Sequence, residues 1–241
     1  MKAVILLAGV GRRMGGETNH LHKALIPLQG KPLLEYLLEN LRRSKITEVI
    51  PVLGYQRETV LSCIERCSSD LDVRPVYNPD YANSNNLVSL VSAEKEIGGE
   101  DFILINGDMV FDPDILIRMK EICHSCIAVD MVHKAEKIDS PKVQGKQRIT
   151  DLGREIPLPE SIGYAIGIYR FQADLLPDFM SKAKEYITRD RMHGFHDPLR
   201  DLFADHEILP VNIGTLEWKD IDDPSDLKEA EEIIRRLYGS E

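Results

Sequence analysis

The sequence opens on short apolar runs that alternate with segments in which apolar residues recur at helical spacing. Ala3–Leu7 is an uninterrupted apolar run, as expected for a strand covered on both faces of a sheet. Pro32 begins a segment with leucines at positions 33, 34, 37, 38 and 41, one face of a helix that we predict to run through about Arg43.

The same alternation continues through the first half of the chain. Further strands are predicted at Glu48–Leu53, Val73–Tyr77, Phe102–Ile105 and Ile127–Val132, and further helices at Glu58–Arg66, Asn86–Ile97 and from Asp112 onward. Repeated strand–helix alternation predicts an α/β fold with a Rossmann-like, mostly parallel mixed sheet, helices on its faces and right-handed crossovers.

After Val132 the pattern changes to strands and turns. Strands are predicted at Lys142–Gln144, Arg148–Leu152, Gly163–Phe171, Leu209–Ile213 and Leu216–Ile221, and helices at Ala173–Ile187, Pro198–Ala204 and Ser225–Tyr238. We interpret residues 133–215 as a β-rich inserted or lid-like part of a single domain that spans 1–241.

The composition is that of an ordinary globular protein: of 241 residues, 43% are hydrophobic and 29% are charged. The formal net charge of −10 disfavours non-specific nucleic-acid binding, which depends on cations that meet phosphates. The uncharged stretch Ala3–Gly11 is too short to span a membrane and lacks the order of a signal peptide. We therefore expect a cytoplasmic protein with no nucleic-acid or membrane partner.

The four cysteines form two pairs, Cys63 with Cys67 and Cys123 with Cys126. Zinc ribbons place each pair in a turn, whereas Cys63 and Cys67 lie one helical turn apart on a predicted helix. Buried thiols are therefore the favoured interpretation over a zinc site. His193-x-x-His196-Asp197 is interpreted as a loop that precedes a helix rather than as a metal motif.

A glycine-rich loop follows the first strand, at the sheet edge where open α/β folds bind ligands. Its sequence is Leu7-Ala8-Gly9-Val10-Gly11-Arg12-Arg13-Met14. Successive backbone amides of such a loop cradle anions, and an arginine adds bidentate phosphate contacts. Met14 stands where a dinucleotide fingerprint needs its third glycine, which makes a dinucleotide-dependent oxidoreductase improbable.

The longer pattern is more specific: Gly9-x-Gly11-x-Arg13-Met14, then Lys23, then Pro27-x-x-Gly30-Lys31-Pro32. It resembles the nucleotidyltransferase superfamily, which joins a nucleoside triphosphate (NTP) to a phosphorylated small molecule. The resemblance implies that Leu7, Ala8, Gly9 and Gly11 hold the triphosphate and that Arg13 and Lys23 are catalytic, stabilising charge at the α-phosphate. His22 departs from the pattern, because proline is common there.

A second segment, Asn85-Asn86-Leu87-Val88-Ser89-Leu90, links a strand to a helix. Asparagines in this place cap helices, and they also read the edge of a base. The segment is similar to phosphocholine-type cytidylyltransferases, which implies that Asn85 and Asn86 contact a nucleotide base and that cytidine is favoured.

Two acidic segments predict a Mg²⁺ site. Asp108 follows a buried strand and a glycine, and Mg²⁺ takes one or two carboxylates plus phosphate oxygens. The string around Trp218–Leu227 resembles the family's closing motif, which implies Asp222 as a second ligand, with Asp220 on the same face. Asp223 and Asp226 are read as caps of the last helix.

The resemblance also implies an acceptor site in the second half. Lys142 stands in a strand similar to a lysine-containing strand of the family. Tyr164 replaces a glutamate that phosphocholine-type relatives often carry, and with Trp218 it is an aromatic candidate for the acceptor. A solvated lysine and a core tryptophan are the plain structural alternatives.

Together these features predict Mg²⁺-dependent transfer of CMP from CTP to a small phospho-alcohol or phosphonate, with release of pyrophosphate. Residues 1–132 would bind the NTP, and residues 133–241 would bind the acceptor and complete the metal site. A sugar-1-phosphate or inositol-1-phosphate nucleotidylyltransferase is the alternative acceptor class, and a non-catalytic nucleotide-binding regulatory domain is the alternative of another kind. The oligomeric state stays open, with a homodimer as one option.

Overall fold

The computed structural model describes residues 1–11, 21–132 and 140–239. The strands in these ranges are β1 (Lys2–Leu7), β2 (Pro27–Leu28), β3 (Lys31–Pro32), β4 (Glu48–Leu53), β5 (Asp72–Val73), β6 (Val76–Tyr77), β7 (Phe102–Asn106), β8 (Met109–Phe111), β9 (Ser125–Asp130), β10 (Lys142–Gly145), β11 (Ile149–Gly153), β12 (Gly163–Phe171), β13 (Ile208–Asn212) and β14 (Trp218–Asp220). The α-helices are α1 (Leu33–Arg43), α2 (Arg57–Cys67), α3 (Asn86–Ser92), α4 (Glu94–Ile97), α5 (Asp114–Glu121), α6 (Leu176–Arg189), α7 (His196–Arg200) and α8 (Asp226–Tyr238).

One large mixed sheet organises the described part of the chain. Its main path runs β11-β10-β12-β7-β1-β4-β5, with β6 beside β4 and with β9 joining β12 to β13. The central strand β1 is parallel to both β4 and β7, so that Ile5 lies opposite Pro51 and Ile105. The parallel strands end at one edge of the sheet, and this edge carries the loops that follow Leu7 and Asn106.

The predicted fold class is confirmed: a mostly parallel mixed sheet lies between helices. The bounds of β4 and β12 are those predicted from the sequence. The β-rich segment after residue 140 is also present, and β12 lies within the main sheet, antiparallel to β7.

Three local differences have physical reasons. The strand predicted over Val73–Tyr77 is two short strands, because Pro75 between them lacks an amide donor. The helix predicted over Asn86–Ile97 is divided at Ala93 into α3 and α4. The three-residue strand β8 lies between the predicted turn and the predicted helix start and was not predicted, since so short a strand shows no period of its own.

Two apolar layers cover the faces of the sheet, because successive side chains of a strand point to opposite faces. Ala3, Ile5 and Leu7 of β1 pack on one face with residues of α1, α2 and α5. Val4 packs on the other face with residues of α3, α6 and α7. This double coverage accounts for the uninterrupted apolar run of the first strand.

A third, smaller core attaches the last helix to the first half of the chain. Ala230, Ile233 and Ile234 of α8 pack against Leu28, Tyr36 and neighbouring apolar residues. Strand β14 pairs antiparallel with β8, so that Asp220 lies opposite Met109. The segment between β14 and α8 is thereby held beside the edge of the sheet where β1 and β7 end. None of the helices in the described ranges is long and apolar enough to cross a bilayer.

Candidate functional site

The loop after β1 lines a cavity. A cavity of about 280 Å³ is lined by Leu6, Leu7, Gly9, Gly11, His22, Lys23, Gly107, Asp108 and Asp222. Gly11 has a positive φ of 65°, and a Cβ there would lie 2.9 Å from Cγ of Lys23. A glycine is therefore needed for the loop to pass over the lysine side chain. Ala8 is buried next to this loop, and Arg13 lies outside the described residues.

His22 fixes the segment that carries Lys23. Its Nδ1 accepts a hydrogen bond from the Ala24 amide at 3.1 Å, so its Nε2–H donates to the carbonyl oxygen of Leu7 at 2.9 Å. Burial lowers the pKa of His22 below its ordinary value, which keeps the ring neutral with this tautomer. His22, which stands where the family commonly has proline, thus holds the segment with Lys23 at the end of β1.

Gln56 supports the same segment and was not predicted from the sequence. Its Oε1 accepts a hydrogen bond from the His22 amide at 3.0 Å, and its backbone is left-handed with φ 49°. A non-glycine residue in this conformation is uncommon and often lies near a functional site. Gln56 lies shortly after the end of β4, at the same sheet edge as the loop after β1. This position in the chain is the sequence signal that could have indicated its role.

Lys23 contacts residues from two distant parts of the sequence inside the cavity. Its Nζ lies 3.3 Å from Oδ2 of Asp108 and 3.0 Å from Oδ1 of Asp222. The lysine side chain is only 11% exposed, so these charges meet in a partly desolvated place where electrostatic interactions are stronger than in water. The structure thus brings three of the predicted site residues into contact, and their roles toward phosphates and a metal stay predictions.

Asp220 places a third carboxylate next to this pair. The residue is half-buried, its Oδ2 accepts a hydrogen bond from Ser140 Oγ at 3.4 Å, and its Oδ1 is buried with no donor among the described residues. Burial raises the pKa of Asp220 well above its ordinary value, and the charges of Asp108 and Asp222 raise it further. Asp220 therefore carries a negative charge at a cost while Asp108 and Asp222 are ionised.

These residues fit a hard divalent cation. A buried carboxylate oxygen without a donor, beside two other carboxylates, is the kind of ligand that Mg²⁺ takes. In the described part of the chain, the carboxylate oxygens of Asp108, Asp220 and Asp222 are not all within 4.8 Å of one another. One or two of these carboxylates, completed by phosphate oxygens of a substrate, match the preferred ligand set.

The two asparagines proposed for base recognition lie outside the residues that line the cavity. Asn85 caps α3 through its Oδ1, and its Nδ2 donates to the carbonyl oxygen of Met192 at 3.0 Å. Asn86 Oδ1 accepts from the Phe195 amide at 3.0 Å. Both side-chain amides therefore hold the loop before α7 against α3. Their role toward a base stays a prediction.

Two of the acceptor candidates, Tyr164 and Trp218, lie next to the buried Asp130, and Lys142 lies on the strand beside Tyr164. Tyr164 of β12 is 2% exposed and lies opposite both Lys142 of β10 and Asp130 of β9. Trp218 Nε1 donates to Asp130 Oδ2 at 2.8 Å. Lys142 Nζ donates to the carbonyl oxygen of Arg154. Asp130, the last residue of β9, was not predicted from the sequence. Asp108 was predicted from a comparable place, just after a buried strand.

Next to Asp220 lies a tyrosine–histidine pair in which the tyrosine is buried. Tyr169 is 1% exposed, and its hydroxyl lies 2.6 Å from Nε2 of His196. Burial and the charge of Asp220 raise the pKa of Tyr169, so the phenol stays protonated and donates to the ring. Burial, with a further contribution from Arg154, lowers the pKa of His196 to about 4.

We expect this pair to make stability depend on pH. The unfolded chain takes up a proton on His196 near pH 6.5 and the folded chain only near pH 4, so stability falls as the pH drops through that window. The loss attributable to His196 is up to about 3 kcal/mol at ~1.4 kcal/mol per pKa unit. Urea unfolding of the wild type and of His196→Gln between pH 7 and 4 checks this. A wild-type curve parallel to that of the variant would contradict it.

Comparison with known proteins agrees with the resemblance drawn from the motifs. The family model described as "MobA-like NTP transferase domain" matches residues 3–153. The CMP-5'-(3-aminopropyl)phosphonate synthase of Streptomyces rubellomurinus is 27% identical over 96% of this chain, and the match covers 38% of that protein. The choline-phosphate cytidylyltransferase of Streptococcus pneumoniae is 37% identical over 40% of this chain and 41% of that protein. The chain thus spans less than half the length of the first of these relatives.

A solved structure shows the same architecture. The inositol-1-phosphate CTP transferase from T. maritima superposes with a TM-score of 0.82 at 19% identity, over 97% of this chain and 96% of that one. At this identity the likeness establishes the fold. Since the family model covers more than half of the residues, this chain belongs to the family of MobA-like NTP transferase domains.

Proposed function

We propose that the chain is a Mg²⁺-dependent cytidylyltransferase that transfers CMP from CTP to a small phospho-alcohol or phosphonate. The observation that carries the proposal is the contact of Lys23 with Asp108 and Asp222 under the glycine loop. It unites a cation and carboxylates at the end of a parallel sheet, where α/β folds bind phosphate compounds. Support for CTP comes from the two cytidylyl-transferring relatives.

The reaction needs no covalent intermediate on the protein. An oxygen of the acceptor phosphate or phosphonate forms a bond to the α-phosphorus of CTP, and the bond from that phosphorus to the bridging oxygen of the β-phosphate breaks. The electron pair leaves with pyrophosphate. Catalysis then consists of positioning and of stabilising charge in the transition state.

Backbone amides and two cationic side chains would bind the phosphates of CTP. Backbone amides of Ala8, Gly9 and Gly11 would hold the triphosphate, and Lys23 would stabilise charge on the α-phosphate. We retain Arg13 as a second cation on the phosphates, from its place in the motif. Lys23 would exchange its carboxylate contacts for phosphate contacts when CTP binds.

Asp108, Asp222 and Asp220 would hold Mg²⁺. When bound, the ion supplies positive charge that neutralises the phosphates and relieves the repulsion among the three carboxylates. The buried Oδ1 of Asp220, which lacks a donor among the described residues, supports this assignment.

The base and the acceptor would be recognised by two further groups of residues. Asn85 and Asn86 would contact cytosine once one of their side chains releases its hydrogen bond to the loop before α7. Tyr164, Trp218 and Lys142 would enclose the acceptor around Asp130, and this buried carboxylate suits an acceptor that carries an amine or an ammonium group.

A second candidate has its own support. The superposition on an inositol-1-phosphate CTP transferase covers both chains almost completely, which favours the same transfer to inositol-1-phosphate or a sugar-1-phosphate. Acceptor choice therefore needs a direct test that treats both classes equally.

We expect pyrophosphate release only when CTP, Mg²⁺ and one phospho-alcohol or phosphonate are combined. The assay tests CTP, UTP, GTP, ATP and dTTP against phosphocholine, phosphoethanolamine, aminoethylphosphonate, inositol-1-phosphate and several sugar-1-phosphates. Lys23→Met should lower turnover at least ~100-fold through the lost charge stabilisation. Lys228→Met, an exposed lysine on α8, is the matched control and should keep full activity.

The other outcomes of this assay are distinct. Release with UTP or dTTP and a sugar phosphate would keep nucleotidyl transfer but refute the assignment of CTP. Release with CTP and inositol-1-phosphate would establish the second candidate. CTP binding without turnover on any acceptor would favour the non-catalytic regulatory domain.

Asp226 should act as a positioning residue for Asp222. Its Oδ2 accepts from the amides of Asp222 at 2.8 Å and Asp223 at 3.0 Å, and its Oδ1 pairs with Lys219 at 2.8 Å. We expect Asp226→Ala to reduce kcat about 10- to 100-fold, because Asp222 loses its fixed backbone.

Glu229→Ala is the matched control for this change. It removes the other partner of Lys219, at 3.1 Å, without touching the Asp222 amide. Steady-state kinetics of both variants at saturating CTP decide between the roles. Equal kcat losses in the two variants would contradict the positioning of Asp222 by Asp226.

A further inference from the structure

A second cluster of metal-ligating side chains lies between α1 and α2. Cys63 and Cys67 are one helical turn apart on α2, and Glu35 lies in the first turn of α1. Their two Sγ atoms and one carboxylate oxygen all lie within 4.8 Å of one another. Cys67 Sγ donates to Glu35 Oε1 at 3.2 Å. None of the three residues lines the cavity that holds Lys23.

We propose that Cys63, Cys67 and Glu35 form a site for one Zn²⁺ ion, with water as the fourth ligand. Tetrahedral Zn²⁺ with Zn–S of about 2.3 Å and Zn–O of about 2.1 Å places sulfur atoms about 3.8 Å apart and sulfur and oxygen about 3.6 Å apart. The observed spacing of the three ligand atoms accommodates these separations with small side-chain adjustments.

The surroundings of the cluster match a bound zinc ion in charge. Zn²⁺ with two thiolates and one carboxylate carries a net charge of −1. The guanidinium of Arg66 lies 3.6 Å from Cys63 Sγ and offsets that charge. A cation next to a ligating sulfur also orients it, as outer partners of metal ligands generally do.

The two thiols of the cluster favour a soft metal over a hard one. Cys63 is 3% exposed and packs in the apolar layer of α1, α2 and β1, with Cys67 at its margin. Thiolate ligands select Zn²⁺ over Mg²⁺, which prefers oxygen ligands and keeps its water. The site and the carboxylates around Lys23 would therefore bind different ions from the same solution.

Zinc at this place would cross-link two helices that hold the active-site segment. Arg42 of α1 already donates to the carbonyl oxygen of Cys67 and pairs with Asp70. Helix α2 begins directly after Gln56, which binds the His22 amide. A metal bridge from α1 to α2 would stabilise this corner of the fold, because a ligand that binds only the folded state raises its stability.

The test measures zinc retained by the full chain. The protein is reduced with a phosphine, equilibrated with Zn²⁺ and excess Mg²⁺, desalted, and analysed for metal. We expect one zinc ion per chain in the wild type and at least a ~10-fold loss of zinc affinity in Cys67→Ser and in Glu35→Gln. Cys123→Ser changes an exposed cysteine outside the cluster and should retain zinc fully.

Cobalt substitution of the wild type gives a second readout that does not depend on a variant folding. Thiolate ligation by Cys63 and Cys67 should produce an intense sulfur-to-cobalt charge-transfer band with Co²⁺. The proposal is overturned if the wild type retains no zinc, if Cys67→Ser retains as much as the wild type, or if Co²⁺ gives no charge-transfer band.

Discussion

The arrangement depends on one ammonium group held between two carboxylates. Lys23 Nζ contacts Asp108 and Asp222, and the latter is 199 positions away in sequence. Asp220 lies next to them with its Oδ1 buried, so the described part of the site brings three carboxylates together with one lysine to offset them. Such an arrangement costs stability in the free protein, and we propose that it is kept because it receives a phosphate compound and a cation.

The rest of the fold keeps these groups in place. The parallel strands β1 and β7 bring the glycine loop and Asp108 to one edge of the sheet. The pairing of β14 with β8 and the packing of α8 on the third core bring Asp220 and Asp222 to the same edge. His22 and Gln56 then fix the backbone on either side of Lys23. Two apolar layers supply the stability that the charged site lacks.

Much of this could be predicted from the sequence because the signals were local. An uninterrupted apolar run marked β1, and the rule that parallel strands end at one edge placed the glycine loop at the ligand-binding edge, while the family resemblance pointed to Lys23. The roles of His22 and Gln56 could not be predicted, because they depend on hydrogen bonds 15 and 34 residues apart in sequence. The contact among Glu35, Cys63 and Cys67 was missed for the same reason: helical spacing placed the two thiols together, but only tertiary packing adds the carboxylate.

The most direct test of the account is chemical unfolding of the wild type and of Asp220→Asn, each with and without Mg²⁺ and CTP. The substitution keeps the shape of the side chain and removes its charge. We predict that, at neutral pH and without ligands, the variant is more stable than the wild type, because the repulsion from Asp108 and Asp222 is relieved. We also predict that the variant gains less stability from Mg²⁺ and CTP. A variant that is less stable without ligands, or that gains as much from them as the wild type, would contradict the central role of the carboxylate cluster.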